Sequence, residues 1–117
     1  MSKQRQKGTA FETLIVNYLR DTGAFPYAER RALHGTVDKG DITGTPGLVW
    51  ECKNHKQIKL AEWVDETEVE RGNANADVGI LVVKRAGRGD PADQYAVLPL
   101  AELVYLLRLA GFAAPEN

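Results

Sequence analysis

Apolar positions in the first part of the chain recur at helical spacing. Phe11, Leu14, Ile15, Tyr18 and Leu19 fall on one stripe, which predicts an amphipathic helix over about 8–22 with Gly23 just past its end. Ala24 to Arg31 reads as a weak strand that Pro26 pushes toward a sheet edge. Leu33 to Lys39 is a loop of turn formers and charges. Asp41-Ile42-Thr43-Gly44 opens a hairpin, Thr45-Pro46-Gly47 turns it, and Leu48 to Lys53 returns. Alternation on the return strand puts Leu48, Trp50 and Cys52 on one face and Val49, Glu51 and Lys53 on the other. Leu60, Trp63, Val64 and Thr67 mark a second helix over about 59–72, ending near Gly72. Val78 to Lys84 is nearly all apolar, as in a strand covered on both faces. Gln94 to Leu98 reads as a further strand. Leu100, Leu103, Val104 and Leu107 mark a last helix that stops near Gly111, and this stripe suits either the chain's own core or a partner. The order α-β-β-β-α-β-β-α predicts an α/β domain with one mixed central sheet flanked by helices.

Composition fits that picture. The chain has 117 residues, 44% hydrophobic and 26% charged, as expected of one folded domain spanning 1–117. No apolar run approaches the roughly 20 residues of a membrane span, and the polar Met1–Lys7 stretch does not read as a secretory leader. One cysteine, Cys52, excludes an internal disulfide and a cysteine-rich zinc site. A cytoplasmic protein without a membrane partner is expected.

The formal net charge is -1, yet the charges are unevenly placed. Residues 1–59 carry ten Lys/Arg and six Asp/Glu; residues 60–117 carry five and ten. Five of the later acids, Glu62, Asp65, Glu66, Glu68 and Glu70, crowd the second helix and read as a solvated face. Field depends on distribution rather than on the sum. Basic residues cluster at Lys3/Arg5/Lys7, Arg30/Arg31, Lys53/Lys56/Lys59 and Lys84/Arg85/Arg88.

Candidate chemistry lies at Asp41, Glu51, Lys53 and Glu12. Glu51 and Lys53 share a strand face, and the short turn brings Asp41 beside Glu51 because paired strands lie roughly 4.8 Å apart. Two carboxylates held so close repel unless a cation lies between them, and a hard divalent ion suits all-oxygen ligands. Lys53 beside such an ion would orient or deprotonate a water, or stabilise charge on a phosphate. Glu12 approaches the same point if the first helix packs on the sheet, and Gly8, one turn earlier, permits a close backbone approach. Each of these residues also has an ordinary structural reading: a solvated Glu-X-Lys pair, a turn aspartate, an exposed helical glutamate. Their joint order and spacing carry the argument.

That order resembles the PD-(D/E)XK nuclease superfamily, most closely the archaeal-type and phage-borne Holliday junction resolvases. The segments that carry the resemblance are Lys7-Gly8-Thr9-Ala10-Phe11-Glu12, Gly40-Asp41-Ile42 and Glu51-Cys52-Lys53-Asn54, and it extends over about residues 5–88. It implies a restriction-endonuclease-like αβββαβ core. It also implies Glu12, Asp41 and Glu51 as ligands of one or two Mg²⁺ or Mn²⁺ ions, with Lys53 as the catalytic lysine. The expected activity is a structure-selective DNA endonuclease of recombination and repair, leaving 5′-phosphate and 3′-hydroxyl ends. Two symmetric cuts in a four-way junction imply a homodimer. Gly40 stands where the family usually has Pro, and the helical Gln of many relatives has its nearest counterpart in Glu66. Activity on flaps, ends or duplex is the alternative within the superfamily, and a non-catalytic DNA-binding protein on the same fold is the alternative outside it.

Around this site, Asp38 and His55 are accessory candidates, and His34 is weighed as a base or zinc ligand. Cys52, Trp50 and Trp63 read as core. Lys7, Arg30, Arg31, Lys39, Lys56, Lys59, Lys84, Arg85 and Arg88 are the candidate DNA contacts, and residues 1–7 are expected as a flexible basic arm. With the three candidate ligands and the five helical acids set aside, 15 basic residues face eight acidic ones, which predicts a bipolar molecule with a basic face.

Overall fold

The computed structural model describes residues 2–32 and 37–116; His34 lies outside them. The first helix, α1 (Lys3–Asp21), starts five residues before the expected point. Ser2 caps it by accepting a hydrogen bond from the Arg5 amide at 3.2 Å, so Lys3, Arg5 and Lys7 occupy its first turns and do not form the expected arm. At the other end Thr22 is the C-cap and Gly23 follows with φ +78°, as the pattern predicts.

Five strands follow: β1 (Glu29–Arg30), β2 (Ile42–Thr43), β3 (Leu48–Lys53), β4 (Val78–Val83) and β5 (Tyr95–Val97). Helix α2 (Leu60–Ala74) lies between β3 and β4, and α3 (Leu100–Leu109) closes the described chain. The sheet is mixed: β3 and β4 are parallel, with Glu51 opposite Leu81, while β5 is antiparallel to β4. All six β4 residues are buried, as its unbroken apolar run predicts for a central strand.

The single hairpin expected over 41–53 is corrected. Strand β2 pairs antiparallel with β1, giving a separate two-stranded ribbon. It meets β3 through the Asp41 amide, which donates to the Trp50 carbonyl at 2.7 Å. Helix α2 also runs past Gly72 and ends at Asn75, whose φ of +52° supplies the left-handed C-cap.

Side-chain alternation separates the two faces of the sheet. Trp50 and Cys52 of β3, with Ile80 and Val82 of β4, pack against Phe11, Ile15 and Leu19 of α1. Leu81 and Val83 pack on Trp63 of α2. Burying side chains of this size stabilises by about 1.5–3 kcal/mol each. Trp50 also donates from Nε1 to Thr45 Oγ1 at 3.0 Å, and Phe25 stands edge-on to its ring at 5.8 Å. Both tryptophans are therefore core, as expected.

Leu60, placed in the α2 core stripe by its spacing, is instead 46% exposed. The buried stripe runs Trp63, Thr67, Glu70. No α3 residue is fully buried, and Leu100, Leu103 and Leu107 of its predicted stripe face solvent.

Gly44 fixes the β1–β2 ribbon against the preceding loop. Its φ is +85°, and a Cβ there would overlap the Tyr27 carbonyl oxygen. Gly44→Ala combines left-handed strain with a backbone clash that no side chain can relieve. It is expected to destabilise by about 2–4 kcal/mol, lowering the melting temperature by about 10 °C or more. A melt of the variant within about 2 °C of wild type would show that the ribbon shifts freely.

Candidate functional site

The site forms on the edge of β3 that β4 leaves free. Residues of β3 alternately point their backbone groups to the two sides, and β4 satisfies one set. On the other side Asp41 takes the place of a strand residue. Its amide donates to the Trp50 carbonyl, and its Oδ2 accepts from the Cys52 amide at 2.7 Å. The carboxylate is thereby held beside Glu51, where the sequence reading expects it, although the tie is a side-chain bond and not a continuing ladder.

Gly40 makes this placement possible. Its φ is +94°, a value closed to Pro, and a Cβ there would stand 2.8 Å from the Trp50 carbonyl oxygen. The glycine before Asp41 thus has a backbone cause. Asp38 Oδ1 accepts from the Gly40 amide at 2.9 Å, and Asn73 of α2 donates to the Asp38 carbonyl at 2.9 Å, pinning the loop.

Glu12, Asp41, Glu51 and Lys53 all line one cavity of about 340 Å³, together with Gly8 and His55. Glu12 reaches it from α1, and the Arg30 guanidinium binds its Oε1 at 3.1 Å. On the far side of Glu51, α2 contributes Glu66 and Glu70. Carboxylate oxygens of Asp38, Glu51, Glu66 and Glu70 lie within 4.8 Å of one another. Lys53 is the cation among them, 3.1 Å from Glu66 and 4.0 Å from Glu51.

The acids form a row: Glu12, Asp41, Glu51, Glu70. Burial, then contact with Glu51, lifts Asp41 to about 8. Burial, then contact with Glu70, lifts Glu51 to about 9. Burial chiefly lifts Glu70 to about 7, with Asp38 adding to it. Glu12 is raised by burial and by Asp41 against the pull of Arg30. Burial works against the charged form of Lys53, but Glu51, Glu66 and Asp41 outweigh it and raise its pKa. The charged ammonium is therefore the favoured form of Lys53 among these carboxylates. The Cys52 thiol is pushed well up by burial and by Asp41, so it is no nucleophile.

Among the described residues, no hydrogen-bond donor reaches Glu51 Oε2 or either Glu70 oxygen. Glu70 is 2% exposed. It is the residue that sequence reasoning missed, because the acidic run was taken as one solvated face. Extending the Trp63, Thr67 spacing by one step reaches Glu70 and would have marked it as inward. The bipolar expectation is corrected accordingly: Glu62 and Asp65 are exposed, while Glu66 and Glu70 belong to the site.

The accessory and basic candidates divide. His55 lies just past the end of β3, exposed, with its ring 5.3 Å from Trp63 and Nδ1 3.4 Å from Gln4 Nε2. Arg30 is occupied by Glu12, and Arg88 by Asp93 at 3.4 Å. Arg31 is half-buried, its amide donating to the Asp41 carbonyl at 2.8 Å. Lys39 is exposed. Lys59 lines a separate cavity with Trp63 and Glu62. Lys7, Lys56, Lys84 and Arg85 line a larger cleft next to the carboxylates.

Comparison with protein-family models, curated proteins and solved structures gave no match to this chain. The function rests on the site itself. Such an arrangement can bind hard cations through carboxylate oxygens, hold a phosphate oxygen on Lys53, and keep water ordered between them. Among the described residues, no helix is long and apolar enough to cross a membrane.

Proposed function

We propose that the chain is a metal-dependent, structure-selective DNA endonuclease, a Holliday junction resolvase that hydrolyses phosphodiester bonds at four-way junctions. The observation that carries this reading is the gathering of Glu12, Asp41, Glu51 and Lys53 around one cavity from a helix, a loop and a strand. The order α1, β1, β2, β3, α2, β4 supports a restriction-endonuclease-like core. Such work on DNA would place the chain in the cytoplasm, that of a host cell if the chain is phage-borne.

Mg²⁺ or Mn²⁺ fits the residues present. The donors are all carboxylate oxygens, and Glu51 Oε2 is a buried acceptor lacking a donor among the described residues. Asp41 and Glu51, with Glu12, would hold one or two ions. Bound there, a divalent ion supplies charge neutralisation at the phosphate and a more acidic water. The chain's own residues do the rest. Asp41 is immobilised by two hydrogen bonds to β3. Arg30 orients Glu12. Glu66 holds the Lys53 ammonium, which donates to a phosphate oxygen as charge develops there.

The described residues form one such cavity per chain, so paired cuts require a second copy. The solvent-facing leucines of α3 offer that copy an apolar surface.

Labelled four-way junctions incubated with Mg²⁺ or Mn²⁺ test the reading. Wild type should nick them, and Asp41→Asn and Glu51→Gln should each lose about 1,000-fold or more, because residues acting as one unit fail together. Equal cutting by both variants and wild type would assign the activity to a contaminant. Preferred cutting of flaps, ends or linear duplex would move the substrate within the superfamily. Binding without cutting, indifferent to EDTA, would leave a non-catalytic DNA-binding protein.

A further inference from the structure

A cleft of about 850 Å³ opens beside the carboxylate cavity, and the two share Asn54 and His55. Its volume is that of a small-molecule site, but its lining is of two kinds. The apolar part is lined by Ile58, Leu60, Val83 and Val97 together with Tyr95. The wall carries Lys7, Lys56, Lys84 and Arg85, and no described residue lining it is acidic. In a chain of net charge -1 this is a marked segregation.

Tyr95 is 52% exposed, as is Ile58, so the apolar part is open to a ligand and is not closed core. The Arg85 guanidinium carbon stands 5.4 Å from the centroid of the Tyr95 ring, so a cation already sits against the aromatic face. The wall is built rigidly. Lys84 Nζ donates to the Arg85 and Arg88 carbonyls at 2.6 Å each, and the Gln94 side chain accepts from the Arg85 amide at 2.6 Å. Thus the loop that presents Arg85 is tied down at both ends, while Lys7 and Lys56 face it from α1 and from the segment after β3.

An exposed aromatic ring flanked by a guanidinium and two lysines matches a nucleotide: a flat base to stack and an anionic linkage to neutralise. An acidic peptide would satisfy the cations but leave the ring and the apolar part without a planar partner. We propose that this cleft takes an unpaired nucleotide of the strand to be cut, with its base on Tyr95 and its phosphates along Lys7, Lys56 and Arg85. The shared Asn54 and His55 then lead the next phosphate into the carboxylate cavity. This proposal deepens the nuclease reading and rests on it for the strand's destination. It makes the site selective for DNA in which a base is unstacked, as at a branch point, over continuous duplex.

Binding is measured in EDTA, where no cleavage is required, by fluorescence anisotropy of a labelled oligothymidylate of about 12 nucleotides and of a blunt duplex of the same length. Tyr95→Ala and Tyr95→Leu should weaken oligothymidylate binding about 10-fold, while Tyr95→Phe keeps wild-type affinity. Duplex binding should change less than about 2-fold in all three. Lys56→Gln should reduce the salt dependence of oligothymidylate binding by about one phosphate contact. If Tyr95→Ala proves unfolded, Tyr95→Leu, which keeps bulk on the edge strand, and Arg85→Gln, on the loop after β4, carry the same test. Unchanged oligothymidylate binding by Tyr95→Leu and Arg85→Gln would overturn the proposal, and so would competition by oligoglutamate as strong as by unlabelled oligothymidylate. The two readings fail separately. Tyr95-dependent binding without any junction nicking sinks the nuclease reading alone, and nicking unaffected by Tyr95→Leu sinks the cleft alone.

Discussion

Glu70→Gln is expected to make the metal-free protein more stable at pH 8, by about 1–3 kcal/mol, although it replaces a fully buried residue. Glu70 lies against Glu51 with neither oxygen reached by a donor among the described residues, and Glu51 Oε2 is equally bare. The amide removes one charge from the row and brings a donor to that oxygen. The same physics sets a pH dependence. An unfolded chain loses these protons near the ordinary values of 3.8 and 4.5, whereas the folded protein keeps them to about 7 for Glu70, 8 for Asp41 and 9 for Glu51. Between those limits the native state binds more protons than the unfolded one, so stability falls as pH rises. Metal-free wild type should therefore be more stable near pH 4 than at higher pH and lose stability steadily toward pH 9. Mn²⁺ at about 100 times its dissociation constant should return about 2.7 kcal/mol at pH 8. Thermal melts in EDTA across this range, with and without added Mn²⁺, give the profile. A flat wild-type profile, or a Glu70→Gln variant less stable than wild type at pH 8, would mean that the row is not charged in the way its geometry implies.

Lys53→Met should fail in the opposite sense and on two readouts. Its ammonium bonds Glu66 and faces Glu51, so its removal leaves those carboxylates without their cation. Metal-free stability at pH 8 should drop by about 1–2 kcal/mol, a modest figure because Glu66 is partly solvated. Junction nicking should fall by about 100- to 10,000-fold, the range for a group that stabilises developing charge or handles a proton. Saturating Mn²⁺ should restore the melting temperature and leave nicking low, because a second cation can neutralise the acids without standing where the ammonium meets the phosphate. Lys53→Arg should keep most of the stability and recover little activity, since a planar fork does not occupy the site of a compact ammonium. Nicking by Lys53→Met within about 10-fold of wild type would reassign the lysine to a purely structural role.

Much of this architecture was legible before any coordinates. The α1 stripe, the alternation of β3 and the solid apolar run of β4 are periodic signals, and periodicity is decided by which face is wet. The approach of Asp41 to Glu51 was expected from a hairpin that does not form; the Asp41 amide and carboxylate bond β3 directly instead. What was not legible depended on pairing at a distance or on context. Nothing local to Ile42-Thr43 says that its partner is Glu29-Arg30, earlier in the chain. The early start of α1 was signalled only by Ser2, one capping residue easily passed over beside three cations. Glu70 was masked by its company, because four neighbouring acids make a fifth look solvated, although its place on the Trp63–Thr67 stripe outweighs its charge. The exposure of Leu60 and of the α3 leucines reflects how few elements this chain has to lay over them.

Asp41 has a duty apart from any ion. By accepting from the Cys52 amide it occupies a backbone donor on an open strand edge, and such donors recruit strands from other molecules. An aspartate that guards an edge cannot be deleted without inviting aggregation. Asparagine retains the accepting oxygen and alanine does not, so insoluble Asp41→Ala beside soluble Asp41→Asn would report lost edge protection, separate from lost catalysis.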